Sequence, residues 1–301
     1  MPDTILLEYE GRFGRGRTAD DIIGLVESLP PLPDVARRAL RLLDDPDSTP
    51  GELASVLRRD PALASTTLRA ANSAALGRAE TVSELDEAIM IVGLSSLKSR
   101  LLAVTMRNWN KTFGEIERLV WEKSLSTAVA AQVISTHIGK TYQNEAHLCG
   151  LLHNLGQLVM LSHPEVRSEY PAVLRCIRER EMDYAEAERE VIGFSHPLIG
   201  ALVGQKWQLP VSTCNCILRH LDPFEGIETR QDEQIALTKL ASATALSAGF
   251  GRPEGHPLSR DTARELALAL GFNKESFETD QEVLNRQIRS LYAAEASVYT
   301  L

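Results

Sequence analysis

The sequence predicts an all-α protein, and three observations carry that prediction. Aromatic residues make up only 5% of the chain, while Ala and Leu are abundant. That balance favours helix, because β-branched and aromatic residues dominate strands. Proline and glycine fall where helices would start or stop, positions at which they cost little. No segment of useful length alternates apolar and polar residues, and there is no Asn-Gly or Asp-Gly hairpin signal. A fixed-period repeat and low-complexity tracts are also missing from the sequence.

The elements follow in order. Thr49-Pro50-Gly51-Glu52 combines an N-cap, a proline at the first helical position and a glutamate at the third, which is a capping box. Asp60-Pro61 opens the next helix with Asp60 as cap, and Leu63, Thr67, Leu68 and Ala71 form its apolar stripe. Asn72-Ser73 ends it, since Asn tolerates left-handed geometry and both side chains can satisfy free backbone groups. Ser83-Glu84-Leu85-Asp86 starts another, ended by Gly93. A long helix is expected from Ile116 to Ile138, stopped by Gly139, with Leu119, Leu125, Val129, Val133 and Ile134 on its buried side. Asn144 is the expected cap of a helix carrying Cys149, Leu151, Leu152 and His153. Shorter helices are expected from Pro171, Tyr184, Pro197 and Pro210, and a longer one over Gln231 to Phe250. Two more, roughly Arg260 to Leu270 and Asp280 to Val298, complete the chain. Leu284, Ile288, Leu291 and Tyr292 give the last one an apolar stripe that needs a partner.

Composition excludes several function classes. The 301 residues are 44% hydrophobic and 24% charged, as expected of a globular protein with a formal net charge of -9. That acidic balance argues against broad nucleic-acid binding. Residues 51–73 can be drawn as a helix-turn-helix, but the second helix has no basic surplus. Arg12, Arg15 and Arg17 alternate with other residues in a short segment read as a flexible, solvated tail. No apolar run reaches the about 18 residues that a membrane span needs, and no secretory signal pattern is present. Cys149, Cys176, Cys214 and Cys216 lack zinc-knuckle spacing and read as reduced, mostly buried thiols. A cytoplasmic location without a cofactor and without membrane contact is therefore expected. Trp121 and Trp207 read as core anchors.

The segment with chemical interest is Leu151-Leu152-His153-Asn154-Leu155-Gly156-Gln157. An adjacent His-Asp pair there would look like the core of a metal phosphohydrolase. Asn154 fills the space of Asp but offers one neutral carbonyl oxygen and an amide NH2 that cannot coordinate. His196 and His220 stand in similar apolar contexts, Phe-Ser-His-Pro and Leu-Arg-His-Leu, so the three histidines are candidates for one pocket. Each alone also reads as an ordinary hydrogen-bonded core histidine. His137, His147, His163 and His256 read as surface or loop residues.

Several separate stretches together resemble the HDOD family, degenerate relatives of the HD and HD-GYP phosphohydrolases. They are Leu29-Pro30-Pro31-Leu32-Pro33, Arg59-Asp60-Pro61-Ala62-Leu63, Leu68 to Ala74 through Asn72-Ser73, and Ala88-Ile89 to Leu94. Val120-Trp121 to Leu125, Gly150 to Gly156, His196 to Gly200 and Trp207 to Pro210 continue the series. The resemblance covers roughly Asp20 to His220. It implies an HD-like multi-helix bundle in two helical subdomains with extra C-terminal helices. On that basis residues 1–18 are a tail, 19–250 the domain (19–110 and 111–250 its two parts) and 251–301 a helical extension.

Carried over position by position, the ancestral ligand set falls on Lys123, His153, Asn154, His196, His220 and the region of Ser242. All its carboxylates are gone on this mapping, and a cation stands at Lys123. No metal is expected; if one bound, His153, His196 and His220 would hold it. The resemblance therefore implies a non-catalytic module that acts by binding regulatory signalling proteins in bacterial two-component or cyclic di-GMP networks. The rival readings are a residual metal-dependent phosphohydrolase or phosphodiesterase, and a nucleotide sensor in the vestigial pocket with Lys123 and Arg219 facing a phosphate.

Overall fold

The computed structural model of the chain describes residues 14–29, 31–73, 81–109, 114–254, 256 and 260–299, and every regular element among them is an α-helix. The first six are α1 (Ala19–Glu27), α2 (Asp34–Asp44), α3 (Pro50–Leu57), α4 (Pro61–Ala71), α5 (Leu85–Val92) and α6 (Leu94–Trp109). Then come α7 (Glu115–His137), α8 (Gln143–Leu152), α9 (Leu155–Ser162), α10 (Pro164–Arg180) and α11 (Tyr184–Val191). The last five are α12 (His196–Lys206), α13 (Val211–Arg219), α14 (Arg230–Ser247), α15 (Arg260–Ala269) and α16 (Phe277–Val298).

The N-terminal helices start where their caps dictate. Thr49 and Glu52 exchange bonds at the head of α3, with Thr49 N donating to Glu52 Oε2 at 2.9 Å and Glu52 N donating to Thr49 Oγ1 at 3.3 Å. Asp60 Oδ1 accepts from Ala62 N at 2.9 Å and Leu63 N at 3.1 Å at the head of α4. Asn72 does more than end α4. Its Nδ2 donates to the carbonyls of Leu68 at 2.9 Å and Val82 at 2.8 Å, and Val82 N donates back to its Oδ1 at 2.7 Å. The side chain thus ties the approach to α5 onto the end of α4. Asp60→Ala should lower the unfolding free energy by about 1 kcal/mol, the usual value of an N-cap. Urea denaturation measures this, and an unchanged midpoint would refute the cap's contribution.

Helix α7 is the axis of the fold. It packs against α8, α14 and α16, and residues on nearly every side of it are buried. A helix buried all round must let its neighbours come close, and Ser124, Ser126, Thr127, Ala128, Ala130 and Ala131 keep its profile thin. Gly150 of α8 uses that space, because a β-carbon there would lie 2.7 Å from the Thr127 carbonyl oxygen. Gly156 does the same between α9 and α12, where a β-carbon would overlap the His196 carbonyl and lie 2.7 Å from Gly200 N. These two approaches set the spacing of the helices that carry His153, Asn154 and His196.

The C-terminal helix finds its partners within the chain. Leu284 and Ile288 are buried with Ile134, Leu240 and Phe272, while Leu291 stays 41% exposed. Val298 and Tyr299 reach the larger core, where the Tyr299 ring meets Trp121 edge-on at 5.5 Å. Arg100 of α6 grips Glu295 through two bonds of 2.7 and 2.9 Å, and Arg69 Nε donates to Val298 O at 2.8 Å.

Several expected details differ. Pro171 starts no helix; it lies inside α10, which begins at Pro164 and is anchored by buried Val166, Tyr170, Val173 and Ile177. Burial on both sides of Pro171 outweighs the lost backbone donor. Asn144 caps nothing, since α8 begins one residue earlier with Tyr142 at the cap position. Helix α16 begins at Phe277 rather than Asp280, because Phe277 is buried and pulls the first turn inward. His147 is buried at 8% exposure within α8 rather than in a loop or at the surface, and His256, though in a loop, is buried to the same degree. Arg15 and Arg17 are not free in solvent but lie 3.6 and 3.7 Å from Glu169, and Gly14 N donates to Gly193 O at 2.7 Å. Arg12, Pro30 and Ala74 lie outside the described residues.

No single helix among the described residues is long and apolar enough to cross a membrane. Helices α5 and α6 reach that apolarity only when taken together, and they meet at a bend of 107°. Cys149, Cys214 and Cys216 are free and buried, and Cys176 is free and half-buried. Trp121 and Trp207 are buried, as expected of core anchors.

Candidate functional site

Three histidines converge from three different helix ends. His153 follows the last residue of α8, His196 opens α12 and His220 follows the last residue of α13. The ring centroids of His153 and His220 are 5.0 Å apart, and those of His196 and His220 are 5.3 Å apart. All three are buried to 2% exposure or less. One helical turn earlier, Cys149 and Cys216 meet in a small apolar cluster that holds α8 and α13 in register.

The backbone fixes the ring tautomers. His153 Nδ1 lies 2.6 Å from Gly150 O, and His220 Nδ1 lies 2.8 Å from Ile217 O. A carbonyl only accepts, so both Nδ1 atoms carry hydrogen and, in the neutral rings, both Nε2 atoms are bare acceptors. His220 Nε2 is 3.4 Å from His196 Nε2, a contact that two lone pairs would not make. His196 Nδ1 also faces Glu188 Oε2 at 2.7 Å, a fully buried histidine–carboxylate contact. His153 Nε2 has no hydrogen-bond partner. Burial, reinforced by the Lys123 ammonium, pushes His153 well below the ordinary histidine pKa. Burial does the same to His220, followed by the charges of its histidine neighbours.

Glu188 is the site residue that sequence reasoning missed, and it stands outside the carried-over ligand positions. It is fully buried on α11. Its Oε1 accepts from Tyr170 Oη at 2.8 Å and Gln157 Nε2 at 3.1 Å, and its Oε2 accepts from the His196 backbone N–H at 2.8 Å. Burial alone would raise its pKa, but the charge and hydrogen bonds of His196 and Tyr170 hold it below the usual carboxylate value. One sequence signal could have found it. Tyr184, Glu188 and Val191 recur at helical spacing, which puts one glutamate of an acidic run on the apolar face.

Lys123 of α7 is 3% exposed, and its Nζ lies over the Tyr184 ring at 5.1 Å. With His220 and Ser242 it lines a cavity of about 920 Å³. Asn154 is fully buried, and neither side-chain atom has a hydrogen-bond partner. The structure thus brings Lys123, His220 and Ser242 to one wall and joins His153 and His196 to them through His220. Arg219 does not join them. It points to the surface, paired with Asp222 at 3.5 Å and Asp232 at 4.0 Å, and lines a separate recess. Asp60 is the N-cap of α4 and Pro61 its first residue, while Asn72 is its C-cap and Ser73 follows it.

The donor set does not fit a divalent ion. Among the described residues no group of three or more His, Cys, Asp or Glu is arranged to hold one. Glu188 is engaged by four donors, Asn154 supplies no charge, and the Lys123 ammonium acts on both His153 and His220. A nearby cation repels a metal.

Comparison with known proteins gives the family and the fold. The profile of the HDOD domain matches residues 29–223. An uncharacterized protein of Treponema pallidum is 26% identical over 206 residues, which is 68% of this chain and 40% of that protein, so the chain spans well under half of that relative. The crystal structure of an HDOD domain protein of unknown function from Geobacter sulfurreducens aligns with a TM-score of 0.73 at 21% identity, covering 99% of this chain and 98% of that one. A Marinobacter aquaeolei protein, provisionally named a signal transduction protein, aligns with a TM-score of 0.70 at 21% identity, covering 98% of this chain and 66% of that one. At these identities the two structures share the fold.

Proposed function

The chain belongs to the HDOD family, and from that premise we propose that it is a non-catalytic signalling module that acts by binding regulatory proteins. The observation that carries this reading is the state of the ancestral ligand positions. Asn154 stands where a charged ligand is needed, and a buried ammonium at Lys123 stands where a first ligand would be. His196 is hydrogen-bonded to His220 and to Glu188, and His153 packs edge-on against the His220 ring, which suits a structural role. A fold that keeps its shape without its chemistry leaves its surface as the functional part. The setting that fits the family is a cytoplasmic bacterial circuit of the two-component or cyclic di-GMP type.

The test has two arms. The purified protein with manganese should release no 4-nitrophenol from bis(4-nitrophenyl) phosphate above the buffer rate. Turnover that disappears in His153→Ala would overturn the non-catalytic reading. In the second arm, affinity capture from the native cell should recover a regulatory protein that rebinds the purified chain. Recovery of the bait alone would remove the support for a binding role.

A further inference from the structure

We propose that Lys123 captures an uncharged aldehyde as a covalent Schiff base in the cavity between α7, α11, α14 and α16. This goes beyond the signalling reading, since the capture needs neither a protein partner nor a metal.

A lysine ammonium has three donors and usually spends them on nearby oxygens. Lys98 pairs with Asp44, Lys140 with Glu233, Lys206 with the carbonyls of Val26, Glu27 and Leu29, and Lys239 with the Asp222 carbonyl. Lys123 makes no hydrogen bond or ion pair among the described residues. It is 3% exposed, lines the cavity, and rests its Nζ over the Tyr184 ring at 5.1 Å. A reacting carbonyl therefore has no oxygen to displace from the nitrogen. Burial lowers the lysine to about 8, with Glu188 and then Asp183 acting against that shift. At neutral pH roughly a tenth of it is free amine, against roughly one part in a few thousand for an ordinary lysine. A desolvated lysine with a share of free amine is the kind that forms Schiff bases.

The surrounding charge selects the reaction. The ammonium gives one proton to water, and the nitrogen lone pair bonds to the carbonyl carbon. The carbinolamine then takes a proton back as it expels water. Ammonium plus aldehyde becomes iminium plus water, and the single positive charge is kept. Glu188 and Asp183, whose charges favour the ammonium, favour the iminium for the same reason. The Tyr184 ring adds cation–π attraction to either cation. Acylation would instead leave a neutral amide, and carbon dioxide an anionic carbamate, so both would strip those carboxylates of their positive neighbour.

The lining selects the aldehyde. The cavity of about 920 Å³ suits a small organic molecule, and Tyr184, Phe224, Leu246 and Phe277 give it aromatic and apolar walls. It carries five carboxylates against the three cations Lys123, Lys239 and Arg264. Three of those carboxylates, Asp261, Glu278 and Glu282, are exposed and form no ion pair among the described residues. They repel anionic carbonyl compounds such as oxo acids and aldehyde phosphates, which leaves an uncharged aldehyde as the fitting class.

Reductive trapping on the full chain tests the site. Benzaldehyde and sodium cyanoborohydride are added in amine-free buffer at neutral pH, the hydride fixes each imine as a benzylamine, and peptide mass mapping times the labelling of each lysine. Lys123 is expected to react at least about tenfold faster than exposed Lys274, following its larger share of free amine. 4-Carboxybenzaldehyde adds one negative charge to the same ring. Relative to Lys274, its rate at Lys123 should be at most about one tenth of that of benzaldehyde. In urea the preference for Lys123 should vanish, because it belongs to the folded cavity. Labelling of Lys123 no faster than Lys274 in the folded chain would overturn the proposal, and so would a preference that survives unfolding. Carboxybenzaldehyde reacting at Lys123 as readily as benzaldehyde would overturn the assignment to an uncharged aldehyde.

Discussion

Glu188→Ala should destabilise the protein by about 3–5 kcal/mol, because it strips the acceptor from several buried donors at once, each costing about 1–3 kcal/mol. The carboxylate is fully buried and receives four hydrogen bonds, from Tyr170, Gln157 and both nitrogen donors of His196 facing it. Alanine leaves each of those donors without an acceptor, and no solvent reaches them. Glu188→Gln keeps the shape and one acceptor oxygen, so its cost should be smaller, about 1–3 kcal/mol. Urea unfolding of the three proteins measures the series. A loss for Ala of less than about 1 kcal/mol would mean that the network contributes little, contrary to the ordinary cost of buried unsatisfied groups. Tyr170→Phe combined with Glu188→Gln should fall short of additivity, because the two side chains share one bond.

How much of this was legible in the sequence depends on whether the signal is local. The caps at Thr49 and Asp60 lie in the residues that form them, and both were readable. So was the long axis helix, since its stop at Gly139 is a local feature with a φ of 69°. Pro171 misled because a proline's tolerance inside a helix is decided by burial around it, which is a property of the packed α10. The histidines and Asn154 were readable as a group through their motifs. Glu188 was not, because its acidic neighbours disguise it and its partners lie 8, 18 and 31 residues away. Lys123 was named from its sequence position, but its burial against the Tyr184 ring became visible only once α7 and α11 had packed.

The protein should also begin to lose stability in mild acid, from about pH 6.5 downward. His153 and His220 are held far below the ordinary histidine value, first by burial and then by neighbouring positive charge. Burial draws His147, packed near Arg100 and Glu295, down to about 4. The unfolded chain takes up a proton at each near pH 6.5, whereas the folded chain does not. A state that binds fewer protons is disfavoured as pH falls, so the folded form loses ground below 6.5. Three such groups give a slope of about 4 kcal/mol per pH unit, against a typical total stability of about 5–15 kcal/mol. Unfolding is then expected within about two to three units below pH 6.5. Urea unfolding at half-unit steps from pH 7.5 to about 5.5 would give the slope directly. His147→Gln should reduce the slope by about one third, because it removes one of three protons. A flat profile between about pH 6.5 and 5.5 would mean that these rings accept protons inside the fold, and the interior around His153 and His220 would then have to be far better solvated than its burial indicates.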